Sequence, residues 1–193
     1  MSFHKINNLL LALIILVNVY VIAAPLAPQA IYWWQSNHSA KRQELTEKVR
    51  SKTAEPQKTM ANGIIIPSML LNRPILEGSI ADTYKILDQG IWRWPGGSTP
   101  DKGGNTVLVG HRFTYTQPQG VFYFLNKVRL GDQIGLWWDN KKYVYTVNEI
   151  KEVPPTEVSI QAPTEDARLT IYTCTPLWMP KNRLVVIAEL EAS

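Results

Sequence analysis

RLTIYTCTPLWMPKNRLVVIAEL, residues 168–190, holds the only cysteine of the chain between two runs that read as β-strands. Arg168 to Thr173 and Leu184 to Leu190 are short, rich in β-branched side chains and bounded by polar or proline-containing sequence, which is the pattern of strands rather than helices. Cys174 ends the first run and Arg183 begins the second. If these neighbours pair antiparallel, both residues fall at one end of the sheet, where loops meet and where sites are built.

Working outward, Ile64 to Ile66, Val107 to Val109, Gln133 to Trp138 and Tyr143 to Val153 have the same character and are separated by Gly, Pro and Asp. The region is therefore mainly β. Only Ala81 to Leu87 and Val121 to Asn126 are candidates for short helices. Many short strands must hide their edges, which favours a closed or nearly closed barrel.

The N-terminal part is different. Leu9 to Ala24 (LLLALIILVNVYVIAA) carries no charged residue, and with its flanks Ile6 to Ala27 it reaches the roughly 20 apolar residues that a bilayer-spanning helix needs. Tyr32, Trp33 and Trp34 follow where an interfacial aromatic belt would lie. A cleaved signal peptide is the alternative, with Val21 and Ala23 as small residues before a cut and Pro25 just beyond. The length of the run and the aromatic belt favour an uncleaved single-pass anchor. A first segment followed by a whole domain normally exports that domain, so residues after 35 are placed on the extracellular side of the cell membrane. Residues 35–61 are polar and charged, with no apolar stripe wide enough for a core; Glu44 and Lys48 at i,i+4 suggest a solvated helix that Pro56 ends. The organisation read from sequence is thus an anchor over 1–34, a stem over 35–61 and a catalytic-size domain over 62–193.

Composition narrows the function. The 193 residues carry a net charge of +4, but Lys and Arg are scattered, without the dense basic run of a nucleic-acid footprint. One cysteine forms no internal disulfide, so a disulfide-stapled scaffold is excluded. No ligand cluster of zinc-like spacing occurs, and no cofactor is expected.

Three polar residues stand at strand ends: His111 after VLVG, Cys174 after LTIYT, and Arg183 before LVVIAEL. Together they make chemical sense. A thiolate attacks a carbonyl, an imidazole moves the proton to a leaving amine, and a permanently charged guanidinium stabilises an oxyanion. Taken singly, each has a plainer reading: Cys174 as a buried small hydrophobe, His111 as a satisfied turn residue, Arg183 as half of a surface ion pair. Local pattern supports the Cys174 and Arg183 pairing, whereas bringing His111 to them requires contact between segments far apart in sequence.

The words around these residues are more specific than the residues. Leu169-Thr170-Ile171-Tyr172-Thr173-Cys174-Thr175-Pro176 resembles the TLxTCxP signature of the sortases, with Arg183 nine residues after the cysteine and a Val-Val strand beyond it. Asn105 to Arg112 (NTVLVGHR) resembles the strand that delivers that family's histidine, and Phe124-Leu125 followed by Leu130-Gly131-Asp132-Gln133-Ile134 resembles its connector. The resemblance covers roughly residues 62–193 and is to a housekeeping-like or class D/E-like sortase. It implies an eight-stranded β-barrel with short helices, preceded by one transmembrane helix. It implies a membrane-anchored cysteine transpeptidase that cleaves an LPxTG-like sorting signal between Thr and Gly. Cys174 would form the thioacyl intermediate, His111 would protonate the departing amine, and Arg183 would contact substrate and oxyanion. Thr173 and Trp178 would touch substrate, and the acceptor would be an amine such as a peptidoglycan precursor or a pilin Lys. Val153 to Asp166 falls where the family carries its recognition loop. Two rival readings stand beside this one: a cysteine peptidase or amidase that passes the acyl group to water, and a non-enzymatic wall-binding β-domain.

Overall fold

The computed structural model describes residues 3–38, 40–51, 61–114 and 119–191. These form two compact units, Met1–Ala40 and Lys41–Ser193. The first is a single helix, α1 (Phe3–His38), which continues through Pro25 and Pro28. Its segment Phe3–Ala23 has a mean hydropathy of 2.3 and is, among the described residues, the one helix stretch with the length and composition to cross a membrane.

The second unit is a closed eight-stranded barrel. Its strands are β1 (Gly63–Ile66), β2 (Leu71–Leu76), β3 (Ile91–Arg93), β4 (Asn105–Val109), β5 (Gln133–Trp138), β6 (Lys141–Val153), β7 (Arg168–Thr175) and β8 (Asn182–Leu190). Around the barrel they run β1-β2-β3-β4-β7-β8-β6-β5, and β5 closes the ring by pairing with β1. The β2–β3 and β4–β7 pairs are parallel and the others antiparallel. Closure removes the exposed strand edges that short β-elements otherwise present.

Side-chain alternation along the strands fills the interior. Ile64, Leu108, Leu136, Leu169, Ile171 and Val186 are each no more than 1% exposed, and burying such a side chain contributes about 1.5–3 kcal/mol. The tight β5–β6 connection is Asp139-Asn140, both with positive φ, 48° and 62°. Asp and Asn tolerate that region, and a two-residue turn of this hand matches the twist of the strands it joins.

Two strands escape the periodicity of the sequence. β2 contains Asn72, Arg73 and Pro74, and β3 is only three residues long. Pro74 is tolerated because β2 pairs with β3 only at Ile75 and Leu76, so the missing N–H breaks no ladder on that side. Ala81 to Leu87 does become helical, as a 3-10 turn over Ile80–Asp82 leading into α3 (Thr83–Leu87). Val121 to Asn126 does not form the short helix its pattern suggests. It is a series of turns ending in a 3-10 helix, Leu125–Lys127, because Phe122 and Leu125 both reach the barrel core, and a three-residue spacing suits the tighter turn.

The polar stretch after α1 also differs from its reading as a solvated helix. The helix α2 (Ala40–Arg50) forms, with Glu44 and Lys48 paired at 2.6 Å. Leu45 and Val49, however, are 2% and 1% exposed and pack on Ile65 and Trp137 of the barrel's outer surface. Two apolar residues at i,i+4 make a narrow stripe, yet it suffices because Lys142 also donates to the carbonyls of Lys48 and Ser51 at the helix C-terminus. Residues 52–60, the rest of the expected stem, lie outside the described residues.

Candidate active site

The antiparallel β7–β8 pair sets Cys174 directly opposite Arg183. Opposed residues project on the same face of a sheet, and Arg183 Nη1 donates to Cys174 Sγ at 3.5 Å. Cys174 is partly exposed rather than buried, and among the described residues no ion pair involves Arg183. The plainer readings of both residues are therefore not what the molecule shows.

His111 reaches the same place through the parallel β4–β7 pair. Its ladder runs from Asn105 opposite Arg168 to Val109 opposite Tyr172. Continued by two residues, that register brings His111 level with Cys174. Beyond the last ladder pair, Phe122 N–H donates to the His111 carbonyl at 3.0 Å and Gly120 N–H to the Arg112 carbonyl at 3.1 Å. Gly120 is required at this approach, since a Cβ there would overlap the His111 carbonyl.

His111, Cys174 and Arg183 line one cavity of about 560 Å³ on the outside of the barrel. One wall comes from Ile80, Tyr84 and Leu87 around α3, another from Pro155, Glu157, Val158 and Ile160, and Trp92 and Trp94 complete the lining. The Val153 to Asp166 segment thus borders the same space. The α3 wall carried no signal in the sequence, because apolar residues on a short helical turn read as core. A separate cavity of about 640 Å³ lies between α2 and the barrel and is lined by Arg42, Arg50, Asp132 and Glu191, with no cysteine or histidine.

Charge and burial act on both Cys174 and His111 at this cavity. The guanidinium N–H that meets the sulfur can also serve an oxygen that gains negative charge. Burial pushes the His111 pKa below its ordinary value, while Asp88, whose Oδ1 lies 3.7 Å from Nε2, acts in the opposite sense. Burial likewise raises the Tyr172 phenol, which accepts a hydrogen bond from Gln161 at 2.7 Å.

The two other residues singled out in the sequence sit differently. Thr173 lines the cavity but is only 2% exposed, and its hydroxyl donates to the Gly110 carbonyl at 2.7 Å, so it joins the strand that carries the cysteine to the strand that leads to the histidine. Trp178 is half exposed and packs edge-on against Phe113, ring centroids 4.7 Å apart, and does not line the cavity. Among the described residues no group of three or more His, Cys, Asp or Glu side chains is arranged to hold a metal ion.

A closed eight-stranded barrel carrying a cysteine, an arginine and a histidine around one external cavity defines a narrow class of proteins. Residues 64–191 match the family model described as the Sortase domain, and the chain belongs to the sortase family. It is 30% identical over 147 residues to Sortase A of Listeria monocytogenes, which is 76% of this chain and 64% of that protein. It is 31% identical to Sortase D of Bacillus subtilis, over 68% of this chain and 63% of that protein. The chain thus spans a little under two thirds of these curated relatives. Among solved structures, a Clostridium perfringens Sortase D5 transpeptidase superposes with a TM-score of 0.60 at 25% identity, covering 80% of this chain and 100% of that one.

Proposed function

We propose that this chain is a membrane-anchored cysteine transpeptidase that cleaves an LPxTG-like sorting signal between Thr and Gly and transfers the new acyl end to an amine. The observation that carries the reading is the opposition of Cys174 and Arg183 at 3.5 Å in the cavity that also holds His111. In this mechanism the Cys174 thiolate attacks the threonine carbonyl carbon, and Arg183 donates to the oxyanion. The C–N bond then breaks as the His111 imidazolium gives its proton to the glycine nitrogen, leaving a thioester on Cys174. An acceptor amine, from a peptidoglycan precursor or a pilin Lys, attacks the thioester and loses its proton to His111, which restores the starting state.

The cavity suits an extended peptide with an apolar side chain, because its walls are mostly apolar while its reactive end is cationic. Thr173 holds the site's frame. In this reading α1 crosses the cell membrane once and the barrel lies on the extracellular side. The similarity to proteins named Sortase A and Sortase D accords with a housekeeping-like or class D/E-like role.

The test is turnover of fluorogenic sorting-signal peptides by the full chain in detergent, with and without an added amine, beside Cys174→Ala. Amine-dependent ligation that vanishes in the variant supports transpeptidation. Products indifferent to amine would reassign the chain as a hydrolase, and a wild type without turnover on any sorting peptide would sink the proposal.

A further inference from the structure

His111 lies two residues past the last β4–β7 ladder pair, so no strand hydrogen bond holds it beside Cys174. The chain compensates on both sides of it. Before His111, the Gly110 carbonyl accepts from Thr173, the residue before the cysteine. After His111, Arg112 is 9% exposed and its Nη1 donates at 2.9 Å to the hydroxyl of Thr175, the residue after the cysteine. The residues flanking the histidine are thus bonded to those flanking the cysteine.

The Arg112 link is itself anchored. Its Nε donates to the Tyr123 carbonyl at 3.4 Å, and the neighbouring Phe122 N–H holds the His111 carbonyl. The Thr175 hydroxyl in turn donates to Glu152 of β6 at 3.5 Å. A buried guanidinium costs desolvation unless its donors are engaged, and here Nε and Nη1 are engaged by groups on both sides of the site. Arg suits this role because its planar fork presents donors in fixed directions, which Lys does not.

We propose that Arg112 is a positioning residue that, through Thr175, fixes His111 against Cys174 for proton transfer. The proposal rests on the transpeptidase reading above but has its own readout. An ångström-scale displacement of a proton donor costs on the order of 10²-fold in rate without a matching loss of substrate affinity.

The experiment compares wild type, Arg112→Met, Arg112→Lys and Thr175→Val in the full chain. Each kcat is expressed per Cys174 thiol titrated with an alkylating agent, so that loss of folded protein does not count. The expected result for Arg112→Met is a fall in kcat per thiol of about 10- to 100-fold with KM within about twofold. Arg112→Lys recovers part of the rate, and the Arg112→Met/Thr175→Val pair is no worse than Arg112→Met alone. A kcat per thiol within twofold of wild type in both Arg112→Met and Thr175→Val overturns the proposal. Should Arg112→Met not fold, Thr175→Val decides alone on the same criterion. If wild type turns over no sorting peptide, the functional reading fails, and the pH profile of Cys174 alkylation by iodoacetamide still tests this one. Arg112→Met must then shift that profile toward the profile of His111→Gln, and an unchanged profile refutes the positioning role.

Discussion

Arg183 faces Cys174 across the β7–β8 ladder, so their separation is set by backbone pairing rather than by the reach of a flexible side chain. The guanidinium therefore needs no reorganisation to meet charge that develops at the sulfur or on a bound carbonyl. Arg183→Ala is predicted to lower kcat/KM on a sorting peptide by roughly 10²- to 10³-fold, the usual effect of removing one preorganised oxyanion donor. Arg183→Lys should recover only part of this, because a flexible ammonium lacks the planar fork that holds its N–H donors in fixed directions. Steady-state kinetics decides, and wild-type rates in Arg183→Ala would exclude a role in the transition state.

Thr173→Val keeps the shape of the side chain but leaves the buried Gly110 carbonyl without its donor. The predicted cost is about 1–3 kcal/mol of stability, seen as a fall of several degrees in Tm by calorimetry. If Thr173 only touches substrate, Tm will not move and KM alone will rise.

Asp88 favours the protonated form of His111 against the effect of burial. Asp88→Asn should therefore lower the His111 pKa further and reduce the imidazolium fraction at a given pH. The alkaline limb of the kcat/KM profile is predicted to move to lower pH, and a shift to higher pH would contradict the assignment of His111 as the proton donor.

The same histidine sets a stability trend. Its pKa is lower in the folded protein than in the unfolded chain, so unfolding takes up a proton once the pH approaches the ordinary histidine value. Its contribution is present above that value and is lost as pH falls through the folded pKa. Between about pH 7 and about pH 5, wild type should lose more Tm than His111→Gln, and parallel curves for the two would refute the linkage.

α2 makes a separable prediction. Leu45→Ala removes half of a two-residue apolar stripe, and filled core positions of this kind cost about 2–5 kcal/mol when truncated. Because α2 packs on the outer surface of a barrel that closes without it, the loss should appear first as faster amide hydrogen exchange in residues 41–50. Protection there equal to wild type would show that the contact contributes little.

Much of this molecule was legible in the sequence wherever the deciding interaction is local. The strands of residues 168–190 are consecutive, so an antiparallel hairpin was enough to bring Cys174 to Arg183, and the block around them resembled a sortase. Predominantly apolar runs such as Ile64 to Ile66 and Gln133 to Trp138 announced themselves as strands. Short or polar ones, β2 with its Pro74 and β3 with three residues, did not, since their pairing partners rather than their own pattern make them strands. Leu45 and Val49 were likewise hidden, because two apolar residues in a charged helix signify nothing until a hydrophobic surface is placed beneath them.

The sequence by itself determined the barrel class, the apolar N-terminal helix and the Cys174–Arg183 pair. Only the tertiary structure decided how His111 comes level with Cys174, because that requires the parallel β4–β7 pairing of distant segments, whose register no local periodicity encodes. It also decided that Thr173 and Arg112 bind the two strand ends together and that Trp178 packs edge-on against Phe113 outside the cavity. Side-chain partners drawn from strands far apart in the chain exist only once the barrel has closed.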